Sequence, residues 1–402
     1  MRRFLVALML LGLSACDSPD PKEQELEAAK LTEFERTVEL KRKWTRNAGS
    51  GQDERFSRYT PAIDEDGYIY TIGVNGDVHA FSAEKGKRRW SVYTKQPISG
   101  GVSVNSGNLV FGTYDGFVFL LDSETGEQRW QAEVSSEVAS APAVNGDLVV
   151  ANTIDGRVFA FEASSGELRW SFDHTTPVLT LRGNASPILT SSQVLVAFDN
   201  GQVLSLSASD GSMQWQLRVS RPKGRTELDR IVDIDGTPVL DAGYLYAASF
   251  QGNIVAITRG SGRMAWSKEG STANNLVVHN GRVFVSAEDS RIFALNSTSG
   301  ELEWETMELK RRGTGTPAVI GDYLAVADTQ GYVHVLSQED GTMAYRFKPR
   351  TADAKAKNDK YKHFARKKKP KGIRSPLFSY EDSLYIFADS GKLTAFTLAE
   401  LK

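Results

Sequence analysis

The chain has 402 residues, 40% of them hydrophobic and 24% charged, with 35 glycines. That is a turn-rich globular composition, and it excludes a disordered or collagen-like chain. A formal charge of −2 argues against nucleic-acid binding by the whole molecule, and a single cysteine excludes an internal disulfide and any cysteine-rich metal centre.

The chain opens on Met1-Arg2-Arg3, a short basic stretch, followed by an apolar run over residues 4–13. That run is too short to cross a bilayer as a helix, which takes about 20 residues. It ends in Leu13-Ser14-Ala15-Cys16, which resembles a bacterial lipoprotein signal, cleaved before a cysteine whose thiol then carries lipid. Residues 1–15 are therefore expected to be a signal peptide and residues 16–40 a tether lipidated at Cys16. The alternative is an ordinary secretory signal that contains a cysteine. Several acyl chains would anchor the protein stably where one is marginal. Asp17 resembles an inner-membrane retention signal that Ser18 can modulate, so the outer membrane, at its periplasmic face, and the inner membrane both stay open. Leu26, Phe34 and Val38 mark either one helical face or points along a loosely ordered linker.

The next signal is periodic. Tryptophans stand at positions 44, 90, 130, 170, 215, 266 and 304, and Tyr345 occupies the same motif position after the last of them. A period near 40 residues means one supersecondary unit repeated. Within a unit, apolar runs are separated by tight-turn dipeptides. Asn145-Gly146, Asp155-Gly156 and Ser165-Gly166 precede the strand of Trp170, and such pairs supply the positive φ of hairpin turns. Four antiparallel strands per 40 residues is the pattern of a β-propeller blade.

Inner strands are expected near Pro61, Val102, Pro142, Pro187, Pro238, Leu276, Pro317 and Pro376. The fold expected is therefore all-β: an eight-bladed propeller of four-stranded antiparallel blades over residues 41–402. The eighth unit reaches Lys402 without a fourth strand, and Trp44 stands at the front without three strands before it. The N-terminal strand should complete the last blade and close the ring, leaving no long unpaired edge.

Three connections exceed the usual gap between aromatic and next inner strand: Trp170 to Pro187, Trp215 to Pro238, and Tyr345 to Pro376. The first two lie on neighbouring blades and on one face of the ring. Long loops on a rigid scaffold are common places for binding. The third contains a basic insertion, residues 351–374, with ten Lys or Arg against Asp353 and Asp359. It reads either as a solvated loop or as a stretch attracted to anionic lipid or lipopolysaccharide phosphates.

Catalytic signatures are absent: there is no His-Glu-x-x-His, no Gly-x-Ser-x-Gly and no Walker loop. The histidines are scattered, and His79 and His334 read as strand positions. Asp64-Glu65-Asp66-Gly67 and Asp233-Ile234-Asp235-Gly236 lack the remaining ligands of a calcium loop and read as turns. No cofactor or metal is expected.

Glycine followed four residues later by tryptophan, as in Gly86 and Trp90, Gly126 and Trp130, Gly166 and Trp170, or Gly300 and Trp304, resembles the tryptophan-docking motif of quinoprotein propellers. That resemblance implies one enzymatic alternative, a quinone-dependent periplasmic dehydrogenase. Its vicinal disulfide cannot form from one cysteine. A lipoprotein-like signal joined to such a propeller resembles more closely the propeller lipoproteins of the outer-membrane β-barrel assembly machinery, the BAM complex, over residues 40–402. That resemblance implies a non-enzymatic scaffold, monomeric within a hetero-oligomeric complex, that binds the periplasmic domains of the barrel-inserting subunit. Unfolded outer-membrane proteins are a further implied client. The partner-binding residues it implies are Leu179, Leu181 and Arg182 in one long loop, with Asp229, Arg230, Asp233 and Asp235 in the next. Together they would make an apolar anchor rimmed by charge.

Overall fold

The computed structural model describes residues 27–52, 59–177, 179–181, 185–223, 225–350 and 372–401. These residues form eight four-stranded antiparallel sheets, each a blade of one ring. Inner strands begin at Ala62, Ile98, Ala143, Ile188, Val239, Val277, Ala318 and Phe378, each close to the position expected from its repeat. The only helical element among the described residues is a single 3-10 turn, Leu228–Arg230.

Blade three shows why the repeat folds this way. Its second strand, Leu148–Asn152, is buried at every position, because neighbouring blades cover both faces. The outer strand, Leu168–Asp173, buries Trp170 and exposes Leu168 and Ser171. The first hairpin is set by Asn145, whose side-chain oxygen accepts the backbone N–H groups of Asp147 and Leu148 at 2.9 and 2.7 Å. One residue before Trp170 the register slips, so that Ala160 faces Trp170 and Phe161 faces Leu168. Such a bulge twists the strand and re-aims its side chain.

Blade eight is made from both ends of the chain. Val38–Asn47 pairs along Lys392–Glu400, from Val38 opposite Glu400 to Asn47 opposite Lys392. The register slips between Arg42 and Trp44, which puts the same bulge before Trp44 as before Trp170. The N-terminal strand is thus a full outer strand.

Adjacent blades are latched by the tryptophans. The Trp44 indole N–H donates to the Ala83 carbonyl at 3.0 Å, Trp130 to Ala163 at 2.9 Å, and Trp304 to Gln338 at 2.9 Å. Each ring lies against a glycine of the following blade, Trp90 on Gly126 and Trp130 on Gly166. Blade seven is the exception, because blade eight has chain ends where the receiving hairpin would be. There Tyr345 stacks on Phe347, which meets Phe396 edge-on at 5.0 Å.

The N-terminal strand begins at Val38, ahead of the boundary expected at residue 41. Residues 27–37, the described residues before it, are neither helix nor loose linker. The Ala29 N–H donates to the Lys310 carbonyl, Arg346 donates to the Thr32 carbonyl, and the Thr37 N–H donates to Ala344. Phe34 packs against the core cluster that contains Leu309 and Met343, with the Arg346 guanidinium over its ring at 4.9 Å. The signal segment with Cys16 and Asp17, Leu26, Arg182 and residues 351–371 of the basic insertion lie outside the described residues.

Candidate docking face and its buried carboxylates

In this topology, one face of the ring carries the connections from each outer strand to the next inner strand, together with the second-to-third hairpins. The two long loops lie there on neighbouring blades, between Asp173 and Ile188 and between Arg218 and Val239. They touch: the Leu181 backbone N–H donates to Oδ2 of Asp233. The second loop is pinned from beneath, where Ile231, Val232 and Ile234 are buried and the Phe250 N–H donates to the Asp233 carbonyl at 2.8 Å.

Not all the expected residues share one surface. Leu179 is 41% exposed, as an apolar anchor requires, and Leu181 is half-buried beside it. Asp229 and Arg230 sit on the exposed 3-10 turn. Asp229 exchanges hydrogen bonds with Thr226, and these hold its carboxyl below the usual carboxylate range. Asp233 departs from the expectation of a charged rim. It is fully buried and accepts the Leu181 N–H, so it braces the first loop from beneath and is no part of an exposed rim. Asp235 is half-buried next to it.

Two residues of this face escape a sequence reading. Leu228, 66% exposed, is the most exposed large apolar side chain among the described residues. Its signal is a leucine set between Glu227 and Asp229 in an otherwise polar loop. Asp199 belongs to the hairpin of blade four, where Asp199-Asn200-Gly201 reads as an ordinary turn. Only folding brings its carboxylate within 4.8 Å of those of Asp233 and Asp235. Burial, with the negative charges of Asp233 and Asp235, pushes Asp199 up to about 8 against a hydrogen bond from Thr180. Burial likewise raises Asp233 to about 6, against the Leu181 N–H. Among the described residues, Oδ1 of Asp233 is buried with no hydrogen-bond partner. The trio therefore favours a protonated Asp199 at neutral pH.

The histidines expected in strands are buried there. His334 Nε2 lies 3.0 Å from Asp328 Oδ2 and His79 Nε2 lies 3.3 Å from Asp77 Oδ2. Each is absorbed by a local carboxylate within its own blade. Among the described residues no helix is long and apolar enough to cross a membrane.

A family model described as outer membrane protein assembly factor BamB matches residues 74–306 and 288–399. A protein of that name from Pseudomonas aeruginosa is 41% identical over 98% of both chains. Its counterpart from Escherichia coli is 34% identical over 82% of this chain and 86% of its own. Among solved structures, BamB from Moraxella catarrhalis superposes with a TM-score of 0.76 at 27% identity, covering 89% of this chain and 99% of that one. A quinohemoprotein alcohol dehydrogenase from Comamonas testosteroni reaches 0.66 at 13% identity, covering 89% and 76%. At that identity the likeness is one of fold alone.

Proposed function

This chain belongs to the outer membrane protein assembly factor BamB family, and on that premise we propose that it is a scaffold subunit whose two long loops hold the periplasmic domains of the barrel-inserting subunit. The coarser role is plain: the chain is a non-enzymatic, outer-membrane-associated component of the β-barrel assembly machinery. The dehydrogenase alternative keeps only the shared fold.

One observation supports the docking reading above the rest. The two longest described connections on neighbouring blades are tied to each other by Leu181 and Asp233, and they present Leu179 and Leu228 to solvent. Apolar anchors held on a braced loop are what a docking surface needs, because little ordering entropy remains to be lost on binding. Arg182 follows Leu181 directly in the sequence and supplies the cation of the patch in this reading.

The test is the affinity of each variant for the periplasmic domains of the barrel-inserting subunit, with a melt alongside. Leu179→Ala should weaken binding roughly 30-fold, about 2 kcal/mol, while the melting temperature barely moves. Reversing the charge of Arg182 should weaken association most at low salt. Unchanged binding in both variants would place the partner surface elsewhere.

The membrane attachment belongs to the same proposal. Cys16 carries the lipid and holds the scaffold at the periplasmic face of the outer membrane. The mass of the mature protein tests it: an unmodified Cys16 would remove the anchor, and fractionation would reveal retention at the inner membrane through Asp17.

A further inference from the structure

The segment behind the anchor leaves the propeller at a defined place. At Ala29 it is held on both sides, by its N–H on the Lys310 carbonyl at 2.9 Å and by its carbonyl on Nη1 of Arg312 at 2.8 Å. Lys310 and Arg312 belong to the connection from blade six to blade seven, which lies on the same face as the two long loops. From there the segment runs along the outer strand Met343–Phe347 to Thr37 and turns into the N-terminal strand. Ala29, thirteen positions after Cys16 in the sequence, therefore lies at the loop-bearing face, at blade seven.

That exit carries an excess of cations. Lys30, Arg311, Lys348 and Arg350 are exposed and Lys310 is half-buried, all at the exit or at the end of the blade-seven outer strand beside it, and they outnumber the exposed carboxylates of Glu27, Glu288 and Glu308 that stand among them. The opposite face is richer in acid. Its hairpins include Asp64-Glu65-Asp66, Glu381-Asp382 and, in blade seven itself, Glu339-Asp340, with Lys85 and Lys87 in a hairpin of blade one. A chain of net charge −2 thus separates its charge across the ring, and the cationic pole lies where the tether emerges.

We propose that the blade-seven exit, through Lys310, Arg311, Lys348 and Arg350, is a docking surface for anionic phospholipid headgroups, and that it turns the loop-bearing face of the propeller toward the bilayer. Cationic side chains near an anionic leaflet are attracted within a Debye length. A tether rooted at Ala29 keeps this pole nearer the surface than the acidic one. The proposal rests on the Cys16 anchor for the nearness of a membrane, but the binding itself needs no lipid on the protein.

The experiment is vesicle flotation of the full chain carrying Cys16→Ser, which has no acyl group. Vesicles of phosphatidylglycerol and phosphatidylethanolamine are compared with vesicles of phosphatidylcholine. Flotation with the anionic vesicles alone, lost at high salt, is expected. Reversing all four cations to glutamate should weaken it roughly tenfold or more. The milder pair Lys348→Gln with Arg350→Gln should weaken it several-fold if the fourfold variant does not fold. Lys85→Glu with Lys87→Glu, on the opposite face, should leave it unchanged. Equal binding to both vesicle types would overturn the proposal. So would binding that survives the fourfold reversal, binding lost equally in the opposite-face variant, or binding that requires lipopolysaccharide. The mass of Cys16 in the native protein is read separately, so failure of the anchor and failure of this surface cannot be confused.

Discussion

The indole of Trp44 lies flat against the backbone of Gly86. A Cβ placed on Gly86 would come within 2.6 Å of Cδ2 of that ring, and the glycine holds φ at +63°. A residue of the first strand is thereby gripped by the first complete blade, while its own strand pairs with the last one. The ring is closed at this contact.

Replacing Trp44 by alanine should cost about 3 to 5 kcal/mol, the usual range for a buried tryptophan, because Trp44 is 7% exposed. Gly86→Val should also destabilise, since it collides with the ring and strains a left-handed backbone. Denaturant unfolding measures both. A Trp44→Ala protein as stable as the parent would mean that closure does not depend on this latch.

Arg312 should be as sensitive as the tryptophan. It is 3% exposed and its Nε lies 2.8 Å from Oδ2 of the fully buried side chain of Asp328. Burial alone would raise Asp328, but hydrogen bonds from His334, the Tyr332 backbone and Arg312 prevail and hold it below the usual carboxylate range. Arg312→Ala removes that partner and the clamp on Ala29 together. A loss of about 3 to 5 kcal/mol is expected, with faster proteolysis between residues 27 and 37. Slow cleavage in the variant would show that Phe34 and Arg346 hold the segment unaided.

The carboxylate trio predicts a pH dependence with a definite sign. An aspartate in the unfolded chain titrates near 3.9, whereas Asp199 and Asp233 are pushed up to about 8 and about 6. The folded protein therefore binds more protons between these values. Stability from these groups is complete below about pH 4 and is lost as pH rises through the folded values. Asp199→Asn removes the carboxylate that resists ionisation. It should flatten the decline between about pH 5 and pH 8, a difference on the order of 3 to 4 kcal/mol. Parallel stability–pH curves for the two proteins would show that Asp199 does not titrate there.

Leu181 separates bracing from docking. Leu181→Ala keeps the backbone N–H that Asp233 accepts, whereas Leu181→Pro deletes it and leaves a buried carboxylate short of its donor. The proline variant should lose on the order of 1 to 3 kcal/mol of stability. Leu228→Ala should change stability by less than about 0.5 kcal/mol while weakening partner binding. A stability loss at Leu228 would make that side chain structural, contrary to its exposure.

Much of this architecture is legible in one sequence because a propeller is written locally. The Trp period, the turn dipeptides and the alternation of each strand act within 40 residues, so the blade count and the sharing of blade eight follow from Trp44 and the unfinished last unit. The two long loops are legible for the same reason, as departures from a regular spacing. Partners in space are not. That Trp44 rests on Gly86, that Asp199 joins Asp233 and Asp235, that Asp233 is buried instead of rimming a surface, and that the tether clamps on Arg312 all depend on how separate blades meet. Hydrogen bonds and burial act over a few ångströms between residues that can stand tens or hundreds of positions apart. The sequence determines each blade by itself, and only the closed ring decides which residues of different blades touch.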